Sequence, residues 1–422
     1  MGELAFGPFS VDPGAHRLRR GNAELALRPQ AFRALSVLIK NSGQYVHHQQ
    51  MIREAWDGIS VSRNTVAVTI AEVKKVLREY GSWIHCRPKL GYRLEVPRRE
   101  DLIQLGWHVW NRRTREGFEK ALVCFQEAAR EDNTDFRAFE GLALTYLLLC
   151  TYGMRPIPVA YPKFLEAHAS AVEIRGLTPA LQADRGHARH ICERKLVEAE
   201  DDLLQALREE PNLGTTYVRL AMLYCTMERL DDALDMVLQG RAAEPLCPVL
   251  PSSETFVRLC RREFDAAVKC GKDAIDLHPY HAMGRAHYAQ ALEATGHVEE
   301  AFAQHRKVCI LSPDLPGLVA LEASCFARNG RRNEAETILG ELQSLREKEY
   351  VDTYFIALLL ESLGRRDEAF AELQRARGEY SAALFMLSVD DRMRRLRVDS
   401  RYKLLQRRLF GSARRRAENG AA

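Results

Sequence analysis

Six alanines, Ala199, Ala233, Ala267, Ala301, Ala335 and Ala369, follow one another at a spacing of 34 residues. Ala221, Ala289, Ala323 and Ala357 keep the same period, with Thr255 filling the gap in their series. Pro211, Pro245, Pro279 and Pro313 are also 34 apart, and Pro179 stands two residues off that phase. Gly296, Gly330 and Gly364 repeat it once more. Each residue type does something physical at its position. A small side chain lets two helices approach closely. A glycine turns the chain between paired helices, and a proline ends the second helix of a pair. A chain written this way stacks helix–turn–helix units, each burying its neighbour's apolar face.

The 34-residue period with small residues at fixed sites is the tetratricopeptide (TPR) signature. It predicts a TPR superhelix over 102–384, with about eight helical-hairpin units. Two less regular units come first. One spans Leu102–Asn133, and the next begins near Thr134 and carries an insertion, Tyr152 to Pro158. Residues 385–411 are expected to form a helical cap, and 412–422 a disordered tail. A TPR array presents a concave groove for a peptide, a protein or a second copy of the chain. It supplies no reactive constellation. No Gly-rich phosphate loop, GxSxG or HExxH occurs, so no enzyme activity and no cofactor are expected. His187, His190 and Cys192 lie close in sequence, as do His278, His281 and His287, but at no recognised metal spacing. The ten cysteines stand singly and read as small buried thiols in a reducing compartment. No apolar run reaches about 18 residues, so no transmembrane helix is expected and the protein should be cytoplasmic.

Charge separates the first hundred residues from the rest. Residues 1–99 hold 16 Lys/Arg and 8 Asp/Glu, a net of +8, whereas 100–391 hold 34 and 47, a net of −13. Residues 392–422 return to +9 with 11 and 2. A basic small domain is the footprint of a polyanion binder. Its pattern runs strand, strand, strand over Leu4–Val11, His16–Arg19 and Ala23–Leu27, separated by Asp12-Pro13-Gly14 and Gly21-Asn22 turns. Pro29 opens a helix carrying Phe32, Leu35, Leu38 and Ile39 on one face, stopped by Asn41-Ser42-Gly43. Met51, Ile52, Ala55 and Trp56 mark a second helix. Ser62 can cap a third, with Val66, Ile70, Val73 and Leu77 inward. Ile84–Val96 returns as a hairpin. The fold expected is mainly α: a winged helix-turn-helix (α+β) over 1–97, a linker over 98–101, then the TPR solenoid.

This order resembles the C-terminal DNA-binding domain of the OmpR/PhoB family. Leu27-Arg28-Pro29-Gln30-Ala31-Phe32 is similar to that family's LTPKEF, and Val46 through Trp56 to its VxxxxLxxxxW. Thr65-Val66-Ala67-Val68-Thr69-Ile70 resembles TVDVHI of its recognition helix. Pro88-Lys89-Leu90-Gly91-Tyr92-Arg93 resembles the PKRGYR wing of the CadC/ToxR-like branch. The resemblance implies a bacterial transcriptional regulator, more often an activator, with residues 64–79 in the major groove of promoter DNA and the 84–96 wing on the flanking backbone or minor groove. HilA-like activators share the two-part plan. The DNA-facing candidates are Arg63, Asn64, Thr65, Val68, Thr69, Ala71, Glu72, Lys74, Lys75, Arg87, Lys89 and Arg93. Val68 or Ala71 could meet a thymine methyl, and Glu72 could accept from cytosine N4. The basic members suit phosphates. Ala71 and Glu72 depart from the family, which is usually basic there. By the same resemblance the 57–62 loop, with Ile59 and Val61, is a candidate contact for RNA polymerase. The family's tandem half-sites would suit a homodimer. The domain begins at the first residues, so no phosphoacceptor receiver is expected. The alternative is a TPR adaptor whose winged helix binds protein; Ala71 and Glu72 favour it, and the +8 charge of residues 1–99 opposes it.

Overall fold

The structure is a computed structural model that describes residues 4–20, 23–96 and 99–420. Two turn or boundary signals, Gly21-Asn22 and Pro97-Arg98, lie outside the described residues. The chain forms two compact units. One comprises residues 1–109 and 120–138, the other 110–119 and 139–422.

In the first unit, four short strands form an antiparallel meander: β1 (Leu4–Phe6), β2 (Phe9–Asp12), β3 (Arg17–Arg20) and β4 (Ala23–Leu25). Leu4–Val11 is therefore not one strand but a hairpin, bent at Gly7-Pro8. Its register aligns Leu4, Val11, Leu18 and Leu25 in a single row across all four strands. Leu4 and Leu25 at the edges are partly buried, and Val11 and Leu18 wholly so. Three helices follow: α1 (Pro29–Lys40), α2 (His48–Ala55) and α3 (Arg63–Leu77). Pro29 occupies the first turn of α1, where its missing N–H leaves no bond unmade. The wing is the hairpin β5 (Ile84–Arg87) and β6 (Gly91–Leu94). One core holds sheet, helices and wing together, with Val11, Leu18, Phe32, Leu35, Met51, Val66, Ile70, Ile84 and Leu94 among its buried members.

The next two helices are α4 (Arg99–Trp110) and α5 (Arg115–Glu131). Helix α4 begins inside the segment expected as a 98–101 linker. Val123 of α5 packs against the winged-helix core. Tyr80, wholly buried, donates its hydroxyl to Glu127 Oε1 of α5 at 3.0 Å and accepts from Arg20 Nη2 at 3.2 Å. These contacts join residues 120–131 of α5 to the winged helix within the first unit.

The second unit continues with paired helices: α6 (Phe136–Thr151) and α7 (Ile157–Arg175); α8 (Pro179–Ala188) and α9 (Leu196–Glu209); α10 (Gly214–Thr226) and α11 (Leu230–Ala243); α12 (Leu250–Cys260) and α13 (Phe264–Leu277). Then come α14 (Ala282–Ala294) and α15 (Val298–Leu311), α16 (Pro316–Arg328) and α17 (Arg332–Arg346), and α18 (Thr353–Ser362) and α19 (Arg366–Gly378). All six alanines of the first periodic series have no exposed surface, and neither do the four of the second series or Thr255. Each is a point where a larger side chain would push helices apart. Pro211, Pro245, Pro279 and Pro313 fall two residues past the ends of α9, α11, α13 and α15. The turn glycines Gly296, Gly330 and Gly364 have φ between 76° and 85°. The same repeat position in earlier units is Arg194, Glu228 and Arg262, at φ 57°, 63° and 63°. The turn keeps its left-handed shape even without glycine.

After α19 the chain makes 3₁₀ turns at Ala382–Met386 and Asp391–Leu396 and ends in α20 (Ser400–Gly420). The first turn does not merely cap the end of the array. It packs against α10, and Phe385 lies 5.9 Å from the His190 ring and 6.2 Å from Phe256. Residues 412–422 are the segment expected as a disordered tail, and the range of α20 runs into it as far as Gly420. Residues 421–422 lie outside the described residues.

Candidate nucleic-acid interface

Helix α3 starts where the sequence supplies a cap. The Ser62 hydroxyl accepts from Thr65 N–H at 3.1 Å, satisfying one of the donors that a helix start leaves open. The apolar stripe Val66, Ile70, Val73 and Leu77 is buried. The opposite face shows Arg63, Asn64, Thr65, Val68, Ala71 and Lys75 to solvent. Val68 is 54% exposed, high for an aliphatic side chain on a helix so well anchored. Lys74 is half-buried; with Lys75 it lies in the last turn, where cations favour the helix dipole.

Two of the candidates on α3 are placed differently from the sequence expectation. Thr69 is buried and its hydroxyl donates to Thr65 O at 2.9 Å, so it turns back on its own helix. Glu72 is not free to read a base. Arg28 Nε donates to its Oε2 at 2.7 Å, a second guanidinium nitrogen also bonds it, and the Arg28 N–H reaches Oε1 at 3.4 Å. The Arg28 guanidinium holds the Glu72 carboxyl below its usual range. Sequence reasoning missed Arg28 because it sits outside the recognition helix, just before Pro29.

The wing tip, Arg87–Pro88–Lys89–Leu90, is exposed throughout. Lys89 takes a left-handed φ of 69° and Gly91 follows at 102°. Gly91 is required by space as well. A Cβ there would stand 2.0 Å from Val46 O, the atom that accepts from Tyr92 N at 3.1 Å. Val46 N returns a bond to Tyr92 O at 2.7 Å. The wing is therefore tied to the segment ahead of α2. Arg93 is half-buried, bonds Glu95 and lies 4.9 Å from the Tyr45 ring centre, so it braces the hairpin. Arg87 faces the same ring at 5.8 Å. Tyr45 was not among the sequence candidates.

In the 57–62 loop, Ile59 is 68% exposed, whereas Val61 is half-buried and packs against the core. Asp57 pairs with Arg33 at 2.7 Å. Cys86 on β5 is exposed rather than buried; six other cysteines are buried and three are half-buried. His187 and His190 each bond a threonine hydroxyl, Thr151 at 3.0 Å and Thr226 at 2.7 Å. Among the described residues no cluster of three His, Cys, Asp or Glu is placed to hold a metal ion. No helix among them is long and apolar enough to cross a membrane.

Residues 22–94 match the family described as "Transcriptional regulatory protein, C terminal". The transcriptional activator CadC of Escherichia coli K12 is 27% identical over 95 residues, which is 22% of this chain and 19% of that protein. Among solved structures, a monomeric mutant of IFIT1 with m7Gppp-AAAA superimposes with a TM-score of 0.51 at 13% identity, covering 84% of each chain. A thermophilic TPR protein of Thermus thermophilus covers 46% of this chain and 99% of its own at 20% identity and a TM-score of 0.38. Residues 22–94 are accordingly an OmpR/PhoB-type DNA-binding domain of transcriptional regulators, and the helix pairs that follow it in this chain keep the 34-residue TPR period.

Proposed function

We propose that this protein is a sequence-specific transcriptional regulator, an activator by its likeness to CadC, that places α3 in the major groove and the wing on the flanking backbone or minor groove of promoter DNA. The observation that carries it is the division of α3: a buried apolar stripe, and an opposite face with Arg63, Asn64, Thr65, Val68, Ala71 and Lys75 exposed. Asn64 and Thr65 offer hydrogen bonds to base edges, and Val68 and Ala71 offer methyl contacts to thymine. Arg63, Lys75, Arg87 and Lys89 meet phosphates. Glu72 acts through Arg28, setting how much of that cation is available to DNA. Ile59 gives the 57–62 loop an apolar point for RNA polymerase, and the helical body serves protein contact, self-association or effector sensing. Fluorescence anisotropy with the full chain and a labelled duplex tests the reading. Lys89→Ala should weaken all duplexes alike, and Asn64→Ala should weaken only the preferred one. Equal binding by wild type and both variants would sink it.

A further inference from the structure

The second unit holds a cavity of about 230 Å³ that is open to one side. First helices of successive pairs line it, and the 3₁₀ turn at Ala382–Met386 fills part of what would be an open groove. The space left is below the roughly 300 Å³ at which drug-sized pockets begin. Its size suits a small molecule. Its wall is mostly apolar, with Met222, Phe256, Phe355 and Phe385 prominent.

One charged group on this wall lacks an ion-pair partner among the described residues. Three arginines line it, Arg113, Arg219 and Arg392, against one acid, Asp352. Arg219 is matched by Asp184 at 2.5 Å and Arg392 by Asp390 at 2.8 Å. Arg113, half-buried, has no carboxylate within ion-pair distance among the described residues; its guanidinium stacks on Trp110 at 3.8 Å. Asp352 accepts from Tyr354 N–H at 3.0 Å and from the Ser381 hydroxyl, so its own carboxylate is engaged within the fold, and burial raises its pKa. Three histidines complete the wall, His187, His281 and His287. Burial lowers all three, with Arg219, Arg113 and Arg392 respectively adding to the effect and no carboxylate offsetting it. The interior is thus a mostly apolar space whose wall carries one guanidinium, Arg113, without an ion-pair partner among the described residues. A cation facing such a space is best matched by an anion.

We propose that this cavity is a ligand site for a small amphipathic carboxylate, whose acid group pairs with Arg113 and whose apolar body lies against Met222, Phe256, Phe355 and Phe385. This goes beyond the DNA-binding reading and stands without it. The test is isothermal titration of the full chain with octanoate and with octanamide, its neutral isostere. Octanoate should bind at one site, and Arg113→Gln should weaken it about ten- to a hundredfold, the loss expected for a charge-assisted bond. Octanamide should bind more weakly than octanoate and be indifferent to Arg113→Gln. Val218→Trp, which puts an indole on the cavity wall, should abolish both, with circular dichroism confirming the fold. No octanoate binding to wild type, unchanged octanoate affinity in Arg113→Gln, or unchanged binding in a folded Val218→Trp protein would each overturn the proposal.

Discussion

Gly91→Ala isolates what ties the wing to the rest of its domain. The backbone there has φ 102°, and a Cβ would stand 2.0 Å from Val46 O. That oxygen cannot yield like a flexible side-chain tip, because it belongs to the reciprocal pair Val46 N to Tyr92 O at 2.7 Å and Tyr92 N to Val46 O at 3.1 Å. The substitution must therefore break the bridge and also hold an L-residue in left-handed space. A left-handed L-residue costs about 1–2 kcal/mol and two hydrogen bonds about 0.5–1.5 kcal/mol each, so the local loss is about 2–5 kcal/mol. At 1.4 kcal/mol per factor of ten, the Val46 and Tyr92 amides should exchange roughly 30- to 4,000-fold faster. Peptide-resolved hydrogen exchange on the full chain reads this directly. Amides of α14 and α15 should stay unchanged. Less than a threefold change at Val46 and Tyr92 would refute the steric argument.

Four further outcomes follow from particular contacts. Glu72→Ala releases Arg28 from its ion pair, so DNA affinity should rise and the slope of log K against log salt should steepen by about 0.9, measured by anisotropy. Burial raises the Glu127 carboxyl above its ordinary value of 4.5. The folded state then binds the proton more tightly than the unfolded one, so stability of the first unit should fall as pH rises through that range, and Glu127→Gln should flatten the dependence in urea titrations. In the helical body, burial lowers His281, His287 and His305 from 6.5 to about 4. The unfolded state binds more protons across that window, so the body should lose stability progressively as pH falls from 6.5 to about 4, followed by circular dichroism. Ala301→Leu should destabilise the array by about 1–3 kcal/mol in urea titrations, because Ala301 has no exposed surface.

The repeats are legible because their rules are local and recur. An alanine every 34 residues states the same close helix contact each time, and every one of the six is fully buried. Helix α3 is legible for a similar reason, since Ser62 and the Val66, Ile70, Val73, Leu77 stripe encode both its start and its inward face. What escapes depends on partners far apart in sequence. Arg28 and Glu72 are 44 residues apart, and Tyr80 and Glu127 are 47 apart. Neither pair has a periodic signal. Thr69 reads as outward because it follows Val68, yet it sits at the edge of the stripe, where its hydroxyl can turn back to the backbone. The four-strand row Leu4, Val11, Leu18, Leu25 does carry a signal, a spacing of seven, which alternation within one strand conceals. Phe385 reads as part of an end cap because nothing local to it names His190 or Phe256 as its neighbours.

The central claim is that the exposed face of α3 and the wing tip select DNA. Genomic duplex fragments selected by the full-length protein, with affinity followed from about 50 to 200 mM salt, test it most directly. Four exposed cations, Arg63, Lys75, Arg87 and Lys89, give an expected slope near about −3.6 for one domain, hence a loss of roughly 150-fold over that range. The account predicts that slope, doubled for two domains on tandem half-sites, together with one recurring sequence motif. Enrichment of no motif, or binding indifferent to salt, would contradict it.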